Sequence, residues 1–307
     1  MAIKRVRVSR AIESNAGIKK AYQKTIDRIC SDFRSFVANE ILNFLESKHA
    51  LTADSLKTMT AEERRKNREL KKKLLSEVAK RNPDLLKSDL DKFISTNIAL
   101  WSALVAEASV KKVGKIISQI AFTTSEAQRR AFINAKVTKG LVNKAFTVPT
   151  VKKRYITQKA LDVLPDIIRE NVNLITKINV EDVDRISQVI FKGLQEGRNY
   201  NELLDELKAT QGFTDRRAYT VAQDQTNKIN QFIQRQNALA IGCTKAVWIH
   251  VAGKYTSRVS HIHMNGKTFE IEKGCYDDFE KRFVKPGELI NCRCIMQVIF
   301  DEDQIND

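Results

Sequence analysis

The 307 residues include only 11 Gly and 4 Pro. These two residue types supply most tight turns, Gly by tolerating positive φ and Pro by fixing φ in advance. A chain so poor in both is not a mosaic of short strands and hairpins, a collagen-like repeat or a long flexible linker. It favours long helices. The hydrophobic fraction of 42% is enough to bury a core in each of two ordinary domains. No period of twenty to fifty residues recurs, which excludes a solenoid.

Apolar spacing in the first half is helical. From Ile12 to Leu45, the residues Ile18, Tyr22, Ile26, Ile29, Phe33, Phe36, Val37, Ile41 and Leu45 fall on one face of a long amphipathic helix. Thr60 and Glu63 have capping-box spacing. The helix they open carries Arg64, Arg65, Lys66, Arg68, Lys71, Lys72 and Lys73, offset by Glu69. Asn82-Pro83 reads as another start, with Pro in the first turn where its missing amide costs nothing. That helix is expected to run from Leu85 to about Val113, and a further one from Ser125 to about Ala145, before a break at Val148-Pro149. The uncharged stretch Phe93 to Ala106 is too short and polar to span a bilayer and reads as a buried helix.

The second half changes character twice. Short helices are expected over Ala160 to Asn173 and Asp182 to Glu196, with Gly197 as a left-handed closing residue. A third is expected from Asn199 or Asn201, burying Leu203, Leu204 and Leu207. A longer helix covers Thr214 to Ile241. Beyond Gly242, Ala246 to Ile249 and Cys294 to Phe300 read as strands, and Asn265-Gly266 as a two-residue hairpin turn. The expected fold is mainly α, a long-helix N-terminal half followed by a small α+β C-terminal module. The expected domains are a basic helical one over 1–150 and a second over 151–307, with helices across 157–241 and a β-containing module across 242–300.

Charge separates the halves. Residues 1–150 hold 30 basic and 15 acidic side chains, whereas residues 151–307 hold 23 and 22, so nearly all of the net +16 lies in the first half. Such an excess either solvates helix faces or meets a polyanion, most often nucleic acid. Aromatic interleaving of the single-strand-binding kind is missing, so the expected contact is to duplex phosphates, indifferent to sequence. Its candidates are Lys4, Arg5, Arg7 and Arg10 with the seven basic residues from Arg64 to Lys73. The N-terminal basic residues precede no apolar run, so no secretory signal is expected. Five Cys, an odd number, argue against a disulfide framework and for a reducing compartment. The chain is expected to be soluble and intracellular when made.

A longer-range order of motifs is more specific. Ile190 to Gly197 is followed by Asn201-Glu-Leu-Leu204 and then by Arg217-Ala-Tyr-Thr-Val-Ala-Gln-Asp-Gln225, which contains Asp224. A tryptophan strand (Trp248) follows, then Arg258, His261 and Asn265-Gly266, then Pro286-Gly287, and last Asn291-Cys292-Arg293-Cys294. This set, over about residues 185–297, resembles the Mu F-like minor head proteins of tailed bacteriophages. Gln223 stands where an Arg is usual, and Ser257 where an Asp often precedes the Arg. The resemblance implies a structural, non-enzymatic protein of head morphogenesis. Its implied partners are the portal protein, the major capsid protein and packaged double-stranded DNA. It implies a place in the capsid interior after assembly in the host cytoplasm. Some relatives carry toxin domains after the cysteine motif, and the dozen residues beyond Cys294 are expected to leave no room for one.

The chemistry-bearing side chains cluster late in the chain. His261 and His263 are two apart, as are Cys292 and Cys294, and on strands each pair points to one face. Neighbouring strands would converge two imidazoles and two thiolates on a structural zinc. The alternatives are buried hydrogen-bonded residues, or a disulfide or ligand role that brings in Cys275. Apart from that zinc, no cofactor is expected. A cysteine hydrolase of Cys292, His261 and Asn291 lacks a recognisable oxyanion hole and a helix N-terminus at the thiol. A metal-dependent hydrolase or nuclease using His261, Cys292 and Cys294 is the competing function, although no His-Glu-x-x-His helix accompanies it. Asp224 is expected to pair with an arginine, to orient Arg258, or to hold a metal. His49 and His250 are isolated and read as ordinary, and Cys30 and Cys243 as packing residues.

Overall fold

The computed structural model describes residues 7–49, 80–152, 154–196, 212–252, 257–301 and 304–305, with 198, 202 and 205–206. The elements in chain order are β1 (Arg7–Val8), α1 (Ala16–His49), α2 (Pro83–Asn134), α3 (Lys139–Phe146), α4 (Gln158–Asp162), α5 (Leu164–Gln195) and α6 (Gly212–Ala240). Then come β2 (Lys245–Ile249), α7 (Val259–His263), β3 (Thr268–Glu270), β4 (Cys275–Asp277), β5 (Arg282–Val284) and β6 (Ile295–Phe300). The fold is mainly α, with long helices first and a small module of short antiparallel strands last.

Helices are longer and fewer than sequence punctuation suggests. The two helices expected across 85–145 are largely one, α2, which does not break at Ser125. Thr123, Thr124 and Ser125 resemble a capping cluster. Instead, buried Thr124 donates its hydroxyl to Asn230 (2.8 Å), and Ser125 accepts from the Asn237 side-chain amide (3.0 Å). Residues that often start helices are here absorbed by tertiary partners. Likewise α5 runs unbroken through Asn171, Asn173 and Asn179. The buried side chains of Asn171 and Asn179 donate to the carbonyls four residues back, at 2.8 Å each.

The chain forms two compact units that interleave along the sequence and do not part at residue 150. One contains residues 1–24, 112–171 and 219–307; the other contains 25–111 and 172–218. In the second unit, the apolar stripe expected on α1 is buried from Ile26 to Leu45, except for Phe36, which is 38% exposed. Phe44 stacks on Phe93 at 4.1 Å between centroids, and Phe93 meets Trp101 edge-on at 5.7 Å. A buried bidentate pair crosses this core: Arg34 donates to both Asp182 carboxylate oxygens at 2.8 and 2.9 Å. The stretch 93–106 is not a buried helix. Ile94, Trp101 and Val105 are buried, but Leu100 is 57% and Leu104 42% exposed. Its spacing is amphipathic, so one face covers the core while the other stays bare. By length and composition alone, α2 as a whole is long and apolar enough to cross a membrane.

The first unit contains the sheet, in the order β1-β6-β2-β3, with every pair antiparallel. Trp248 faces Met296, and Ala246 faces Val298 on one side and Phe269 on the other. The β1 strand adds the chain's start to the sheet edge, with Arg7 opposite Phe300. Under the sheet lie Phe132, Phe146, Trp248, Phe269 and Phe300, which pack edge-to-face. The β4 and β5 strands form a separate ribbon. Asn265-Gly266 is not a hairpin turn between strands. It follows α7, and Gly266, at φ 79°, donates its amide to the Trp248 carbonyl (2.8 Å).

Helix α6 is buried in this unit despite its polarity. Thr226, Asn230, Gln231, Gln234 and Asn237 are each at most 2% exposed. Buried amides are costly unless paired, and of these side chains only Gln231 leaves a buried donor, its nitrogen, without a partner. Asn237 alone accepts from the Thr157 hydroxyl (2.8 Å) and donates to Ser125 (3.0 Å) and Gln128 (2.9 Å). Replacing Asn237 by Leu, a side chain of similar size, strands those three groups. It is expected to lower unfolding free energy by about 3–9 kcal/mol in a denaturant titration, at roughly 1–3 kcal/mol per buried group left unpaired. In the other unit, Asp182→Ala leaves Arg34 without its carboxylate and is expected to cost about 3–5 kcal/mol in the same measurement.

Candidate functional site

The site is a loop held against α6. Side chains at positions 223, 224, 231 and 235 of that helix reach the segment 286–296. Arg235 donates to the Pro286 carbonyl (3.1 Å), and Gln231 accepts from the Met296 amide (3.2 Å). Asp224 accepts from the Asn291 amide (2.7 Å), and Gln223 accepts from the Arg293 guanidinium (2.9 Å). The Arg258 guanidinium completes the clamp by donating to the Ile290 carbonyl (3.1 Å). Asp224 therefore does not pair with an arginine. Its ion pair is Lys228, one turn on, at 2.7 Å, and its other oxygen fixes Asn291 in the left-handed conformation at φ 60°. Gln223, the departure from the family pattern, accepts well from Arg293, where an arginine would repel it.

This clamp presents Cys292 and Cys294 to His261. The Cys292 sulfur lies 3.5 Å and the Cys294 sulfur 3.6 Å from His261 Nδ1, and one ligand atom from each of the three residues falls within 4.8 Å of the others. All three residues are at most 3% exposed. The expected convergence of His261 with both cysteines is present, but His263 is not part of it. The histidines lie on α7, not on a strand, and two helical positions differ by about 200°. His261 turns inward, and His263 is exposed. Cys275 is also apart, opposite Val284 in the β4–β5 ribbon, where burial pushes its thiol up. All five cysteines are free thiols.

Two residues the sequence reading passed over complete the surroundings. His250 Nδ1 lies 3.5 Å from the Cys294 sulfur. Its signal was present: it continues the alternation of buried Ala246 and Trp248 one step past β2. Asp277, fully buried, places an oxygen 3.3 Å from His261 Nε2. Its carboxylate accepts from the amides of Phe279 (2.9 Å) and Glu280 (3.2 Å) and from the Ser260 hydroxyl (3.1 Å). Burial alone would raise its pKa; these donors and His261 outweigh it and hold the carboxyl below the ordinary range. No sequence pattern marks Asp277. Trp248 packs edge-on against His261, with centroids 5.2 Å apart.

The two thiols share the burden of charge. A hydrogen bond from Cys294 lowers the Cys292 thiol to about 4 against the effect of burial, with His261 adding to the shift. The same bond, together with burial, pushes Cys294 up. The arrangement can serve two chemistries. One is metal ligation, which needs both sulfurs. The other is a nucleophilic Cys292–His261 line backed by Asp277 in the place expected of Asn291. A cleft of about 390 Å³ opens beside the cluster, lined by Asp224, Asn227, His250, Arg258 and the loop itself. Of the proposed phosphate contacts, Arg10 is exposed and Arg7 lies in β1, while Lys4, Arg5 and the basic run from Arg64 to Lys73 lie outside the described residues.

Glycine is demanded at two places near the site, one in the loop and one before β4. Gly287 has φ 77°, and a Cβ there would stand 2.8 Å from the Gln231 side chain. Gly274 has φ 89°, and a Cβ there would stand 2.3 Å from the Val284 carbonyl oxygen, whereas at Gly266 (φ 79°) it would meet nothing. Gly266→Ala is thus expected to cost only the left-handed strain, about 1–2 kcal/mol. Gly274→Ala adds a clash with main chain that cannot swing aside. Thermal unfolding of the two variants is expected to rank Gly274→Ala as clearly the more damaging, and equal losses would contradict the model of the β4–β5 ribbon.

Residues 184–297 match the family model described as phage Mu protein F like protein. An uncharacterized protein of Haemophilus influenzae is 25% identical over 134 residues, which are 44% of this chain and 29% of that protein. The chain thus spans less than a third of that relative's length. No solved structure matches it. The matched segment begins within α5 and ends in β6, so it takes in the clamping face of α6, the tryptophan strand and the cysteine loop together. Over residues 184–297, the chain is similar to phage Mu F-like proteins.

Proposed function

We propose that the chain is a structural protein of a tailed-phage head, acting in head morphogenesis at the portal vertex inside the capsid, with its cationic surface against packaged double-stranded DNA. The observation that carries the reading is the Mu F-like match across 184–297, a family that is structural and non-enzymatic in general. The site's construction agrees with a scaffold role. Both carboxylates nearest the cluster are committed, Asp224 to Lys228 and the Asn291 amide, Asp277 to two amides and Ser260. A hydrolytic metal needs an open position and a general base beside it, and among the described residues no further carboxylate lines the cleft.

The DNA contact rests on charge. Between residues 112 and 154 the sequence has ten basic residues and a single acid, Glu126. Glu126 pairs with Arg130 at 2.8 Å, while Lys115, Lys136, Lys139, Lys144 and Lys152 are exposed. Like charges crowded on one compact unit are relieved by a polyanion.

Two measurements test this. The protein is expected to co-sediment with DNA-filled heads from a phage lysate. In fluorescence anisotropy, the full chain is expected to bind duplexes of unrelated sequence equally, with log affinity falling against log salt by roughly 0.9 per phosphate neutralised. Reversing Lys139 and Lys144 to Glu is expected to weaken binding for every duplex and flatten that slope. No binding at 50 mM salt would sink the DNA contact, and salt-insensitive binding would redirect it to a protein partner.

A further inference from the structure

Three sulfur–nitrogen contacts around one point are hard to explain as hydrogen bonds. His261 Nδ1 faces two sulfurs, at 3.5 and 3.6 Å, and the Cys294 sulfur faces two ring nitrogens, those of His250 and His261. A neutral ring nitrogen has one in-plane lone pair or one proton, and a thiol has one proton. Protons therefore cannot satisfy all three contacts well at once. A metal can. Zinc bonds near 2.0–2.1 Å to nitrogen and 2.3 Å to sulfur, opened at a tetrahedral angle, place nitrogen and sulfur about 3.6 Å apart. That is the spacing found.

We propose that Cys292, Cys294, His261 and His250 hold a structural zinc ion, with Asp277 as the outer carboxylate on His261. The first three residues already converge. His250 touches the group through Cys294 alone, from the cleft side, and a modest swing of its ring closes the fourth position that the cleft would otherwise leave to water. His263 takes no part.

The surroundings are those of a metal centre. The main-chain amides of Gly287 and Val251 favour the thiolates of Cys292 and Cys294 over the thiols. Nε2 of His261, the nitrogen turned away from the sulfurs, is buried without a hydrogen-bond partner and faces Asp277. A ligating histidine shows its other nitrogen to a carboxylate in this way, which fixes the tautomer and makes the ring a stronger ligand. Asp277 is pinned by two amides and a hydroxyl, so the carboxylate is set before any metal arrives. The His250 amide is likewise held, by the Asn265 side chain at 2.9 Å. The ligands come from the end of β2, from α7 and from the loop before β6, so one ion ties together three segments of the unit. A closed site adds its binding free energy to folding.

The test uses the full chain purified after growth in zinc. Elemental analysis is expected to find about one zinc per chain, and cobalt exchanged into the site is expected to show thiolate charge-transfer absorption and the intense visible bands of a tetrahedral ion. His263→Ala is expected to bind like the parent. His250→Ala is expected to lose at least tenfold in affinity by chelator competition, and Asp277→Asn about 10–100-fold. Zinc is expected to shield Cys292 from iodoacetamide and to raise the melting temperature. A parent protein that takes up neither zinc nor cobalt overturns the site, as does Cys292 alkylation at one rate with and without zinc. Full affinity in His250→Ala overturns the fourth ligand, and loss of metal in His263→Ala overturns the ligand set. The His250 and Asp277 variants keep the test decisive if the cysteine variants do not fold.

Discussion

The unit that holds the site depends on a helix that breaks the usual rule about interiors. Over its buried length, α6 shows the core amides and a hydroxyl where leucines would ordinarily sit. Each buried polar atom has to find a partner with correct geometry, because the cost of leaving one bare exceeds the gain from making it. A leucine stripe tolerates sliding by a turn; a row of amides with named partners does not. Two amides reach back to the Ile12 carbonyl, Thr124, Ser125 and Gln128 come from α2, and Thr157 comes from the turn before α4. Three distant stretches of sequence are thereby fixed to one helix in a single register.

An adjoining side of the same helix explains the cysteine loop. Residues 286–294 form no strand and make few main-chain bonds among themselves, so nothing local would hold two cysteines in a defined place. The helix supplies what the loop lacks, through Gln223, Asp224, Gln231 and Arg235. The sheet supplies the other wall, since Trp248 in β2 packs on His261 while its strand pairs with β6 immediately after Cys294. A left-handed Asn291, which costs free energy outside glycine, persists because Asp224 and the pairing on either side determine it jointly.

Much of this was legible in the sequence, and the failures share a cause. The stripe from Ile18 to Leu45, the start at Pro83 and the strands around Trp248 and Met296 follow from local periodicity, which the structure obeys. The break expected at Ser125 and the breaks around Asn173 and Asp182 rested on local punctuation. In each case the polar residue was answered by a partner more than a hundred positions away or by its own helix: Ser125 by Asn237, Asp182 by Arg34, Asn171 and Asn179 by preceding carbonyls. Local rules cannot see such partners. For the site, the motif order brought His261, Cys292 and Cys294 into view, and a wrong secondary structure assigned the remaining histidine. A His-x-His on a strand selects both rings; on α7 it selects one. Asp277 was invisible because a carboxylate that acts on a ring through space leaves no spacing in the sequence.

The same geometry bears on why a nucleophile-like line has no need to be an enzyme. A thiol, an imidazole and a carboxylate in sequence are the parts of a cysteine hydrolase, and the low Cys292 pKa would suit one. Catalysis needs the sulfur free to meet a substrate and hydrogen-bond donors aimed at the oxyanion that forms. Cys292 is nearly inaccessible at 3% exposure, and its imidazole is shared with a second sulfur. Removing that second sulfur would leave a hydrolytic pair; its presence fits the proposed chelate. Cys294 is therefore the residue on which the distinction turns, and its placement follows from Arg293 being tied to Gln223 on one side and β6 beginning at Ile295 on the other.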